Sequence, residues 1–171
     1  MCGIVAYIGA QEALPILMGG LKTLEYRGYD SAGIAVIADG KIFSKKRVGR
    51  VSILEDALRG ETPHKGTAGI AHTRWATHGC VTEANAHPHT DCSSTIWLAH
   101  NGIIENYKEL KAQLTKDGHH FRTETDTEVI AHLIESAQAK HPSLPLEEAV
   151  LRALPLLKGT YGLVIIDRRE P

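Results

Sequence analysis

The chain opens Met1-Cys2-Gly3-Ile4-Val5-Ala6-Tyr7-Ile8-Gly9. The mostly apolar run of residues 3–9 predicts a buried strand that begins directly after a cysteine. If Met1 is removed, Cys2 carries both a thiol and a free α-amine. A thiol needs a nearby base to become the attacking thiolate. An α-amine, with a pKa of about 7.7–8.0, is neutral often enough near neutral pH to serve as that base. On position alone Cys2 reads as a small apolar residue entering a strand. Polar clusters further along reverse that reading.

Outward from this stretch, residues 12–26 predict a helix with Leu14, Leu17, Met18, Leu21 and Leu24 as its apolar stripe and Pro15 in its first turn. Asp39-Gly40 between the strand-like runs 33–38 and 41–45 signals a hairpin. A short helix is expected to start at Ser52, capped with the help of Glu55. Residues 67–73 and 95–100 read as strands, and residues 74–94 between them as a long irregular segment of the kind that carries function. Asn106 and Thr125 are expected to cap two helices, with Asp126 in the first turn of the second. A helix over 146–154 and a strand over 161–167 complete the pattern. Hairpins without strict strand–helix alternation favour α+β with a largely antiparallel sheet.

With 171 residues the chain is long enough for one domain, taken as 1–171. A net charge of −1 and 23% charged residues give no basic surface for nucleic acid. No apolar run approaches a membrane span and no secretory signal is visible, so a cytoplasmic protein is expected. Three cysteines, Cys2, Cys80 and Cys92, suggest no disulfide framework. The chain stops four residues after a strand, which reads as a cut inside a larger protein.

Four clusters stand beside Cys2: Glu25-Tyr26-Arg27-Gly28-Tyr29-Asp30-Ser31-Ala32-Gly33, His72-Thr73-Arg74-Trp75-Ala76-Thr77-His78-Gly79, Asn85-Ala86-His87-Pro88-His89 and His100-Asn101-Gly102. The chemistry they support is acyl transfer. Asn101 offers a side-chain N–H and Gly102 a backbone N–H for an oxyanion, though the pair also fits a simple turn. Arg74 has the fork that suits a carboxylate, or a structural ion pair. Asp126 suits an ammonium or a helix start. Trp75 fits a core position or a lid. His87-Pro88-His89 with Cys92 does not complete four metal ligands at a known spacing, so no metal and no cofactor are expected. His119-His120 is given no role.

Together these clusters, with Glu124-Thr125-Asp126-Thr127-Glu128, resemble the class II glutamine amidotransferases, a branch of the N-terminal-nucleophile hydrolases, over essentially the whole chain. Tyr26-Arg27-Gly28-Tyr29-Asp30-Ser31 and Arg74-Trp75-Ala76-Thr77-His78-Gly79 point to the aminosugar-forming branch. The resemblance implies a four-layer αββα sandwich, truncated at its C-terminus, with Cys2 at the head of a central strand. It implies Cys2 as nucleophile, Asn101 and Gly102 as oxyanion hole, and Arg74 and Thr77 on the glutamine carboxylate with His78 nearby. Asp126 and Gly102 would hold the substrate amine, Arg27 and Trp75 would order the site and its lid, and His87 would support it. The implied partner is L-glutamine; fructose 6-phosphate would enter only through an isomerase domain outside this chain, in an enzyme expected to be a homo-oligomer. Alternatives are a glutaminase serving another acceptor, such as that of an amidophosphoribosyltransferase, or a non-catalytic module.

Overall fold

The computed structural model describes residues 2–61, 65–76 and 79–170. Its elements run β1 (Gly3–Ile8), α1 (Ala13–Leu24), β2 (Ser31–Ala38), β3 (Lys41–Val48), α2 (Val51–Leu58), β4 (Ala68–Arg74), β5 (His89–Thr90), β6 (Ile96–Ile104), α3 (Tyr107–Lys116), α4 (Glu128–Lys140), α5 (Leu146–Ala153) and β7 (Gly159–Asp167). Strands β1-β4-β2-β3 form one sheet and β5-β6-β7 a second, every pair antiparallel.

Alternation along the strands gives each sheet an apolar outer face and a more polar inner one. Ala32, Ile34 and Val36 of β2 and Ala71 of β4 pack against Leu17, Leu21, Val51 and Leu54 of α1 and α2. Ile96, Leu98 and Ile104 of β6 pack against Val129, Ile130, Ile134 and Ala149 of α4 and α5. Each fully buried aliphatic side chain there contributes about 1.5–3 kcal/mol. The inner faces meet between the sheets, which gives the expected helix–sheet–sheet–helix layering. The Asp39-Gly40 hairpin is present, with φ of 51° and 68° at its two turn residues, the geometry that suits the strand twist.

Several local expectations are corrected. β1 pairs only with β4, so among the described residues it is an edge strand rather than a central one. It is also not fully buried, since Ile8 is 74% exposed. Ser52 does not cap α2, which begins at Val51. The Val51 N–H instead donates to Glu25 Oε1 at 2.7 Å, while Glu55 accepts from Lys22. Asn106 stands before α3 without capping it through its side chain, because that amide bridges the Leu156 carbonyl and the Lys158 N–H. Thr125 does not cap α4, whose preceding residue is Thr127. Asp126 therefore lies just outside the helix, and its carboxylate accepts the Ile104 N–H at 2.8 Å. β6 runs on through Asn101-Gly102, which pair with Gly162 and Tyr161 rather than forming a turn.

Candidate active site

Inward-facing positions of β1 and β4 meet those of β6 at one end of the inter-sheet space. A cavity of about 490 Å³ opens there, lined by Cys2, Arg27, Arg74, Trp75, His87 and Asn101, and on its far side by Gly102 and Asp126. Every described residue assigned a role from sequence thus borders one space. Thr77 and His78 lie outside the described residues.

Cys2 sits at the head of β1. Its Sγ accepts the Trp75 N–H at 3.1 Å and lies 3.5 Å from the Trp75 carbonyl, so the thiol is held against the chain leaving β4. That segment is anchored in turn by Asp30, whose carboxylate accepts the Ala76 N–H at 2.8 Å. Trp75 is 46% exposed, and its ring packs edge-on to Tyr29 at 5.5 Å. It lines the cavity from an exposed position and is not a core residue.

Asn101 Nδ2 donates to the Cys2 carbonyl at 3.2 Å, and Asn101 Oδ1 accepts from His72 Nε2 at 2.9 Å. These two contacts decide which way the amide points. The adjacent Gly102 has φ of +137°, and a Cβ there would meet the Thr160 carbonyl oxygen at 1.9 Å. Only glycine fits.

Arg74 is buried, and its guanidinium donates to the Gly79 and Cys80 carbonyls at 3.3 and 3.2 Å. Burial lowers its pKa, opposed by Cys2, Asp30 and Asp126, and a guanidinium stays charged throughout. Asn85 and Glu124, which stood inside the quoted motifs with no role of their own, hold that loop. Glu124 accepts from the Cys80 N–H and from Asn85 Nδ2, and Asn85 Nδ2 also reaches the Cys80 carbonyl.

Behind the cavity lies a group of buried imidazoles. His72 and His87 rings are 4.1 Å apart, and His87 and His89 4.5 Å apart. The Thr127 hydroxyl bridges His87 Nε2 at 3.0 Å and His100 Nδ1 at 2.9 Å, and Thr125 reaches His89. The other nitrogen of each ring has no hydrogen-bond partner among the described residues. Burial pushes His72 down to about 4, His87 and His89 well below the ordinary value, and His100 down against the pull of Asp126. These rings are neutral packing groups and hydrogen-bond relays. Thr127 and His100 border the cavity too; both stood inside the quoted motifs, but nothing in their spacing marked them.

The family model for the glutamine amidotransferase domain matches residues 72–171. The chain belongs to the glutamine amidotransferase domain family. It is 54% identical, over all of its length, to a glutamine–fructose-6-phosphate aminotransferase (isomerizing) of Symbiobacterium thermophilum and covers 27% of that protein. A protein of the same name from Aquifex aeolicus is also 54% identical, with 28% of its length covered. This chain therefore spans less than a third of these relatives. Among solved structures, the glutamine phosphoribosylpyrophosphate amidotransferase from B. subtilis superposes with a TM-score of 0.80 at 32% identity, covering 98% of this chain and 35% of that one. The amidotransferase domain described here thus has the N-terminal-nucleophile fold, α+β with antiparallel sheets.

Proposed function

We propose that this amidotransferase domain hydrolyses L-glutamine to glutamate and ammonia through Cys2, once Met1 is removed. One observation carries the reading: Asn101 Nδ2 is turned toward the residue that bears the nucleophile, 3.2 Å from the Cys2 carbonyl, at the mouth of a cavity that also holds Arg74 and Asp126. The α-amine takes the thiol proton as Sγ attacks the γ-carbonyl carbon. Asn101 Nδ2 and the Gly102 N–H stabilise the oxyanion. The ammonium returns the proton to the leaving nitrogen, ammonia departs, and water then hydrolyses the γ-glutamyl thioester. Arg74, with Thr77 and His78, receives the substrate α-carboxylate, and Asp126 with Gly102 its amine. Arg27, Trp75 and His87 order the walls and cover.

The names of the 54%-identical relatives support fructose 6-phosphate as the final ammonia acceptor, and the 27–28% of their length covered here leaves room for a further domain that would bind it; a homo-oligomeric enzyme is part of the same proposal. The solved-structure likeness supports a phosphoribosyl acceptor at lower identity. No helix among the described residues is long and apolar enough to cross a membrane. Together with free cysteines, this supports a cytoplasmic setting.

The test is glutamate release from glutamine, with intact mass to establish that Met1 is gone and Cys2→Ala as control. Release by the processed chain and none by Cys2→Ala is expected. Equal release by both pure proteins would end the proposal.

A further inference from the structure

Outside the cavity, Cys92, His119, His132 and Glu135 converge from three segments: the turn after β5, the connection between α3 and α4, and α4 itself. His132 and Glu135 stand one helical turn apart and share a face. One ligand atom from each of the four lies within 4.8 Å of all the others. Cys92 Sγ is 3.6 Å from His132 Nδ1 and 3.8 Å from His119 Nδ1. Glu135 Oε2 is 3.0 Å from His132 Nδ1 and 2.8 Å from His119 Nδ1. None of the four borders the cavity at Cys2.

We propose that these four side chains form a structural zinc site. Tetrahedral zinc sets sulfur and nitrogen ligands about 3.6 Å apart, and nitrogen and oxygen ligands about 3.3 Å apart. The sulfur–nitrogen spacings already match. The nitrogen–oxygen spacings are slightly shorter, as hydrogen bonds to a carboxylate are. One thiolate and two imidazoles are the wrong donors for magnesium or calcium, which take oxygen. Four protein ligands leave no open position, so the ion is structural rather than catalytic.

The surroundings fit a metal centre. The His120 N–H donates to Cys92 Sγ at 3.4 Å. Behind His132, Glu128 Oε1 stands 3.6 Å from Nε2, in the manner of a carboxylate that orients a ligating imidazole. The Glu128 carboxylate is itself held by the Arg122 and Thr123 N–H groups at 2.8 Å each. His132 is almost fully buried, while Glu135 is 20% exposed at its side chain, which leaves the ion a way in. The ion would tie the strand carrying His89 to α4. The sequence had grouped Cys92 with His87 and His89; the fold sends those two histidines inward and gives Cys92 the ligands His119, His132 and Glu135.

The experiment uses the whole 171-residue chain. Zinc is measured by elemental analysis after dialysis. Chelator-stripped protein is then titrated with cobalt(II). One zinc per chain is expected, and a cobalt spectrum with thiolate charge transfer and intense visible bands of a four-coordinate site. Cys92→Ser and His119→Gln should each weaken zinc binding by more than about 100-fold, beyond the 10–100-fold that loss of an outer partner costs. Cys80→Ser should leave zinc binding unchanged. The cobalt spectrum of the unsubstituted chain stands whether or not the variants fold. A folded chain that retains no zinc and gives no thiolate–cobalt band overturns the proposal. So does full zinc occupancy in the Cys92→Ser/His119→Gln double variant.

Discussion

Nε2 of His72 donates to Oδ1 of Asn101 across the two sheets, and that one contact leaves Asn101 Nδ2 free to point at Cys2. The imidazole touches no substrate space of its own; it acts by holding the amide. His72→Leu, close in volume at a fully buried position, should lower kcat for glutamine hydrolysis about 10-fold while KM changes little. Asn101→Ala removes the donor itself and should cost about 10²–10³-fold in kcat. Steady-state kinetics on both variants tests the pair. A KM effect with kcat intact would place His72 in binding instead.

Gly102→Ala should destabilise the domain by about 2 kcal/mol or more. Its φ of +137° is one that side-chain-bearing residues avoid, and the added methyl overlaps the Thr160 carbonyl within the β6–β7 ladder. Urea unfolding gives the number. An unchanged midpoint would mean that the two strands can part at this position without loss.

Arg74→Lys retains charge but not the planar fork. It loses the paired contacts to Gly79 and Cys80 and the bidentate grip proposed for the substrate carboxylate. KM for glutamine should rise roughly 10–100-fold, the worth of one or two charge-assisted hydrogen bonds. Competition by glutamate reads the same loss without turnover.

Acid should unfold this domain early. A histidine ordinarily titrates near 6.5, whereas folded His72 holds out to about 4. Between those values the unfolded chain binds the proton and the folded chain does not, so stability rises with pH through that window. The contribution is complete above about 6.5 and lost as pH falls toward 4, on the order of 3 kcal/mol for His72 alone. His87, His89 and His100 act in the same direction. His132 opposes them. Burial would lower it, but Glu128 and Glu135 raise it; its contribution is present below the unfolded value and lost as pH rises through the folded one. The unfolding free energy from urea titrations with chelator, compared at about pH 7.5 and about pH 5, should fall by up to about 1.4 kcal/mol per pH unit per histidine. A flat profile would mean that the buried rings take up protons at the same pH as in the unfolded chain.

What the chain alone determined is the chemistry of single positions. Cys2 at the head of a strand, the Arg74 fork, the Asn101-Gly102 donors and the Asp39-Gly40 turn follow from residue types and short-range pattern; the fold brings Cys2, Arg74, Asn101 and Gly102 to one cavity and forms the turn. What only the tertiary structure decided is which distant residues meet. The α2 cap comes from Glu25 rather than Ser52, β6 runs through a dipeptide that also reads as a turn, and Cys92 finds His119 rather than His89. A group remote in sequence, side chain or strand backbone, decided the outcome by supplying the hydrogen-bond partner that a polar group taken from water requires.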